Sequence, residues 1–262
     1  TQLFKLAGGF NNDWELTFAV VLFYLAKSEE LSSESLDIIR EQGQTLRQFT
    51  AEISRLGGGL ETAKELSFKR LDGQQQERVG QRWQTDLIKQ IFQEYYGGSD
   101  YCQGLYGFQP KYINQPGLLN NEKVILDANL VKSFSPKVGV ITGRTREEAE
   151  MALQRADLSE LVPPGYLLCD DWNFHKPDPK ILEHLAGAMG TKIGLYIGDT
   201  VDDLETVKNF QNLGESTSFL ACIVLHRPEE RDFYLEKGVD ILTRDVNQVL
   251  KCIIKNPPNP LL

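Results

Sequence analysis

The chain has 262 residues, 41% of them hydrophobic, which suits one large domain or two small ones with a true core. Its net charge of −9 comes without any long Lys/Arg patch, so no nucleic-acid partner is expected and solubility is the plain reading of the acidity. The longest apolar run, residues 18–26, falls far short of the ~20 residues a membrane helix needs. Cysteines at 102, 169, 222 and 252 form neither a CxxC pair nor a zinc pattern, so reduced thiols and a cytoplasmic location are expected.

Two sequence textures follow one another. Residues 12–96 read as amphipathic helices. Leu46, Phe49, Ile53 and Leu56 form one stripe at helical spacing, and Val79, Trp83, Leu87, Ile91 and Tyr95 form a second. Gly57, Gly58 and Gly59 are expected to make a flexible break. Residues 97–122, rich in Gly, Tyr, Asn and Pro, read as a linker. Beyond them short apolar runs alternate with helical segments. The runs are 138–141, 166–169, 193–197 and 219–225; the helices are 145–156, 179–189, 201–210 and 246–254. Asp178 and Pro179 suit a helix start, and Gly190 a stop. The alternation predicts an α/β fold with a parallel sheet covered on both faces. The expected division is a helical domain at 1–100, a linker or hinge at 101–122 and an α/β core at 123–262.

Ligands of open parallel sheets bind beyond the carboxyl ends of the strands. Thr142, Gly143 and Arg144 follow the first apolar run. Asp170, Asp171 and then Lys176 follow the second. Gly198, Asp199, Thr200, Asp202 and Asp203 follow the third. Carboxylate oxygens suit Mg²⁺. A hydroxyl, the amides of a glycine turn and an ammonium suit phosphate oxygens. Metal and lysine then offset the repulsion among the aspartates.

"VITGRT" (140–145), "HKPDP" (175–179) and "IGDTVDD" (197–203) resemble motifs II, III and IV of the haloacid dehalogenase (HAD) superfamily, in the family's order, over roughly residues 123–255. The resemblance is to the helical-cap, phosphoglycolate-phosphatase-like branch, with the helical half as cap. It implies a HAD-like Rossmannoid core and Mg²⁺-dependent hydrolysis of a small phosphorylated metabolite. Thr142 and Lys176 are the implied catalytic residues, binding phosphate together with Gly143. Asp199 and Asp203 are the implied metal residues, Asp203 in support. Asp202 and Asp171 are expected just behind them. "GGFNNDWELTF" (8–18) resembles the start of such caps, which makes Asn11 and Asn12 expected substrate contacts.

The family's motif I is a strand ending in Asp-x-Asp, whose first Asp attacks phosphorus and whose second transfers the proton. No such strand precedes the helical half, and the chain starts at Thr1. The expectation is therefore a fragment or truncated product, inactive alone, whose sheet shows a gap or a distorted pairing at the place of the central strand. Asp127-x-Asn129 is a decoy, since Asp127 reads as a helix cap. The rival reading is a non-catalytic HAD-fold module that binds a phosphorylated ligand or a protein. A response-regulator receiver ranks last, because its acidic pair precedes its Thr and Lys.

Overall fold

In a computed structural model, which describes residues 2–10, 12–133, 137–214 and 217–255, the chain divides into two units, 1–122 and 123–262. The described part of the first unit is built from helices: α1 (Gln2–Ala7), α2 (Asp13–Glu30), α3 (Leu36–Glu41), α4 (Leu46–Arg55), α5 (Gly59–Phe68), α6 (Gly73–Arg82) and α7 (Thr85–Tyr106). The caps are written in the sequence. Asn12 accepts from the Glu15 amide to start α2, and Thr45 and Asp72 form capping boxes with Gln48 and Gln75. The apolar faces of α1, α2, α4 and α5 close one core around Phe4, Ala19, Phe23, Phe49 and Ile53.

Two expectations for this unit are corrected. The glycines at 57–59 are not a flexible break. Gly58 sits at φ 81°, and a Cβ there would stand 2.5 Å from the Gly8 carbonyl oxygen. The run is thus a site of close backbone packing, where the Gly59 amide bonds Gly8 at 3.0 Å. The stretch 101–122, expected as a linker or hinge, falls within the first unit. Its first six residues continue α7 past a kink at Gly98, and the rest folds back on that helix. The cause is Glu94, fully buried, whose carboxylate accepts from the Tyr112 and Ile113 amides at 2.6 and 2.9 Å and from the Gln90 side chain. Burial pushes its pKa up, but those amides, with that of Lys111, outweigh burial and hold it below the usual value.

The second unit is α/β: α8 (Ala128–Lys132), β1 (Val140–Ile141), α9 (Arg146–Arg155), β2 (Leu167–Leu168), α10 (Lys180–Met189), β3 (Ile193–Gly198), α11 (Val201–Gln211), β4 (Ser218–Val224), α12 (Arg231–Glu236), β5 (Ile241–Thr243) and α13 (Val246–Lys255). All pairings between these strands are parallel, yet they make two sheets, β1–β2 and β3–β4–β5. Helices cover them with the side chains that the periodicity selected. On α10, Ile181, Leu185 and Met189 pack with Leu168 and Ile141. Phe210 of α11 meets Phe219 edge-on at 5.7 Å.

Ladder parity shows where the split lies. The Ser218 amide bonds Lys192 O, and the Thr142 amide bonds Leu168 O. Alternate residues of a parallel strand bond to opposite sides. The backbone groups of Ile193, Leu195 and Ile197 therefore point away from β4, and those of Ile141 point away from β2. Among the described residues no strand pairs with either edge.

Candidate functional site

The third motif-bearing turn is organised around one carboxylate. β3 ends at Gly198, and Thr200 caps α11 through a box with Asp203. Asp203 Oδ2 accepts from the Asp199 amide (3.0 Å), the Thr200 amide (2.9 Å) and the Thr200 hydroxyl (2.7 Å). Its Oδ1 accepts from Lys176 Nζ at 2.6 Å and from the Tyr196 hydroxyl at 3.0 Å. Burial pushes Asp203 up, but the Lys176 ammonium and the Thr200 donors prevail and bring it down to about 2. Burial likewise disfavours the Lys176 ammonium, and the Asp203 charge more than restores it, so Lys176 stays raised. Gly198 is required here, since a Cβ on it would lie 2.4 Å from the Asp203 side chain. Asp203 is thus the keystone of the turn rather than an oxygen donor at liberty.

Asp199 faces different company. Its Oδ2 lies 2.6 Å from His226 Nε2, and its carbonyl oxygen accepts from the Tyr234 hydroxyl at 3.3 Å. Asp202 is buried on the first turn of α11. A second cluster gathers at the ends of β1 and β2. Thr142 Oγ1 accepts from the Arg144 amide at 3.2 Å, and the Arg144 carbonyl accepts from the Asp170 amide at 3.1 Å. Gly143 lies in this half-buried turn. Arg146 grips Asp171 with two nitrogens, at 3.0 and 3.3 Å. Thr145, not Thr142, caps α9. The decoy Asp127 caps α8.

So Lys176, Asp199, Asp202 and Asp203 share one strand end, and Thr142, Gly143 and Asp171 share another. Asn12 spends its side-chain oxygen on capping α2. Asn11 lies outside the described residues. Sequence reasoning did not single out Tyr196, Arg146 or Tyr234, and it set aside His226, which has no metal-ligand spacing with the other histidines. The last was within reach, because it directly follows the fourth apolar run, where the strand-end rule looks for ligands.

Magnesium keeps several waters and takes one or two protein carboxylates plus phosphate oxygens. Asp199, an oxygen donor at a strand end with 39% of its side chain exposed, fits that role. Asp203 fits the supporting one, since its amide and hydroxyl donors fix the backbone that carries Asp199.

No family model and no curated protein matches the chain. Solved structures do share its fold. One is a Northeast Structural Genomics Consortium target solved by X-ray diffraction, at 14% identity over 94% of this chain and 79% of that one, with a TM-score of 0.55. Another is the phosphatase Tt82 from Thermococcus thioreducens, at 21% identity over 95% of this chain and 97% of that one, with a TM-score of 0.50. The chain is therefore a mixed α/β protein with parallel sheets and a fold that a phosphatase also adopts. Among the described residues no helix is long and apolar enough to cross a membrane.

Proposed function

We propose that the chain is the body of a HAD-superfamily, Mg²⁺-dependent phosphatase of the helical-cap, phosphoglycolate-phosphatase-like branch, acting on a small phosphorylated metabolite in the cytoplasm. The observation that carries the reading is the buried Lys176–Asp203 pair at the end of β3, one turn from Asp199. It presents a fixed ammonium beside an oxygen-donor carboxylate, which is a phosphate-and-cation arrangement. The fold shared with a phosphatase supports it.

In this reading Lys176 Nζ, held by Asp203, faces the phosphate oxygens with one charge. The Thr142 hydroxyl and the Gly143 amide donate to them from the end of β1. Asp199 holds Mg²⁺, which when bound supplies neutralising charge at the phosphate. Asp203 fixes the Asp199 backbone, and Asp202 and Asp171, the latter oriented by Arg146, support the two turns. Attack on phosphorus needs a carboxylate nucleophile. In this reading the strand that carries it would pair with the edges of β1 and β3 that no described strand covers, so this chain alone is expected to turn over poorly.

The test is release of phosphate from a panel of small phosphate monoesters with Mg²⁺, by the chain alone and mixed with a peptide carrying an apolar strand and Asp-x-Asp. Activity should rise with the peptide and vanish in Asp199→Asn and Lys176→Ala. Turnover that survives both substitutions would sink the proposal. The edges of β1 and β3 that no described strand covers also favour a second reading, a HAD-fold module that binds a phosphorylated ligand without turnover. Saturable phosphate binding with no hydrolysis in either mixture selects it.

A further inference from the structure

We infer that the segment after β4 is a positioning device for Asp199 and that His226 is the side chain through which it acts; this rests on the reading of Asp199 as the metal-holding carboxylate. Three groups from residues 226–234 converge. His226 Nε2 meets Asp199 Oδ2 at 2.6 Å, and an ionised carboxylate only accepts, so Nε2 carries the proton in this contact. The Tyr234 hydroxyl, on a side chain 1% exposed, donates to the Asp199 carbonyl at 3.3 Å. Glu230, 5% exposed, accepts from the His226 and Arg227 amides at 3.2 and 3.3 Å and so fixes the turn that presents the imidazole. The root of the turn is pinned where the Leu225 amide bonds Thr243 O at 2.8 Å.

The segment thus grips Asp199 at its carbonyl and at its carboxylate. The His226–Asp199 contact itself is half exposed, and such pairs add little to stability. Its worth lies in orientation: one bonded oxygen fixes the carboxylate torsions, so the group meets a cation already aligned. Hydrogen-bond partners of ligating carboxylates typically govern metal affinity by 10- to 100-fold.

The experiment is Mn²⁺ titration, in place of Mg²⁺, followed by loss of the free-ion EPR signal. It compares the wild-type chain with Asp199→Asn, His226→Ala and His226→Gln, each with a thermal melt. Asp199→Asn should abolish saturable binding. His226→Ala should weaken it roughly 10- to 100-fold with an unchanged melting temperature. His226→Gln, which restores an N–H donor, should recover most of the loss. Wild-type affinity in His226→Ala overturns the inference and leaves Asp199 as a ligand. A parallel loss in Ala and Gln variants with a lowered melting temperature makes the contact merely structural and also overturns it. Binding that persists in Asp199→Asn, or a wild-type chain that takes up no Mn²⁺, removes the ligand assignment underneath as well.

Discussion

Lys176 Nζ and Asp203 Oδ1 stand 2.6 Å apart, with 18% and 4% of their side chains exposed, and tie the loop after β2 to the first turn of α11. Removing one partner strands the other charge where water screens it poorly. Lys176→Met should therefore destabilise the second unit by about 3–5 kcal/mol, whereas the double variant Lys176→Met, Asp203→Asn, which removes the stranded charge but keeps an oxygen for the Asp199 and Thr200 donors, should recover part of that loss. Urea denaturation of the single and double variants measures the difference. Equal losses in single and double variants would mean that the charges are not coupled.

Glu94 makes the first unit acid-sensitive. Its folded pKa lies below the ordinary 4.5, so the carboxylate contributes stability above its unfolded value and loses that contribution as pH falls through the folded one. Amide exchange at Tyr112 and Ile113 should accelerate below about pH 4.5 relative to the amides of α7. In Glu94→Ala the same amides should exchange fast already at neutral pH, because no side-chain acceptor remains for them. Each amide left unsatisfied costs about 1–3 kcal/mol. Unchanged protection in Glu94→Ala would show that the clamp does not hold the segment.

Two glycine-to-alanine changes should move stability in opposite directions. Gly98 has φ 59°, and a Cβ on it would stand 2.1 Å from the Gly117 amide nitrogen. Gly98→Ala combines left-handed strain with a backbone clash, a loss of at least about 1–3 kcal/mol. Gly80 lies exposed inside α6 with open space around it, and Gly80→Ala should gain about 0.5–1 kcal/mol. Thermal melts of the pair decide the matter; a stable Gly98→Ala protein would mean the kink is not fixed by that contact.

The split between the sheets is open to measurement too. The amides of Ile193, Leu195 and Ile197 should exchange faster than those of Gly194 and Tyr196, which bond to β4. Even protection along β3 would mean that its outer edge has a partner.

Much of the second unit was legible because strand, turn and helix alternate with clear punctuation. Gly190 ends α10 in the left-handed conformation that only a residue of its kind adopts readily, and Asp178 bonds the Lys180 amide at the helix start. β5 escaped notice because Ile241–Thr243 holds only two apolar residues in a row, whereas the runs read as strands span four or more. The glycine run and the stretch after Gly98 were misjudged for a different reason. Local composition reports freedom in the unfolded chain, whereas the order at Gly58 and Glu94 comes from partners 50 and 18 residues away. At the site, the motifs pointed to Asp199, Lys176 and Asp203. They did not tell that Asp203 spends one oxygen on its own turn and the other on Lys176 and Tyr196, which is a matter of hydrogen-bond geometry rather than residue type.

The edge of β3 that no described strand covers has a use outside the cell. It borders a charge pair that is already assembled, so a short strand fused to any bait could dock there while the 262-residue chain carries the prey. Such a two-part reporter would convert an encounter between two other proteins into a local change that amide exchange at Leu195 and Ile197 reads directly.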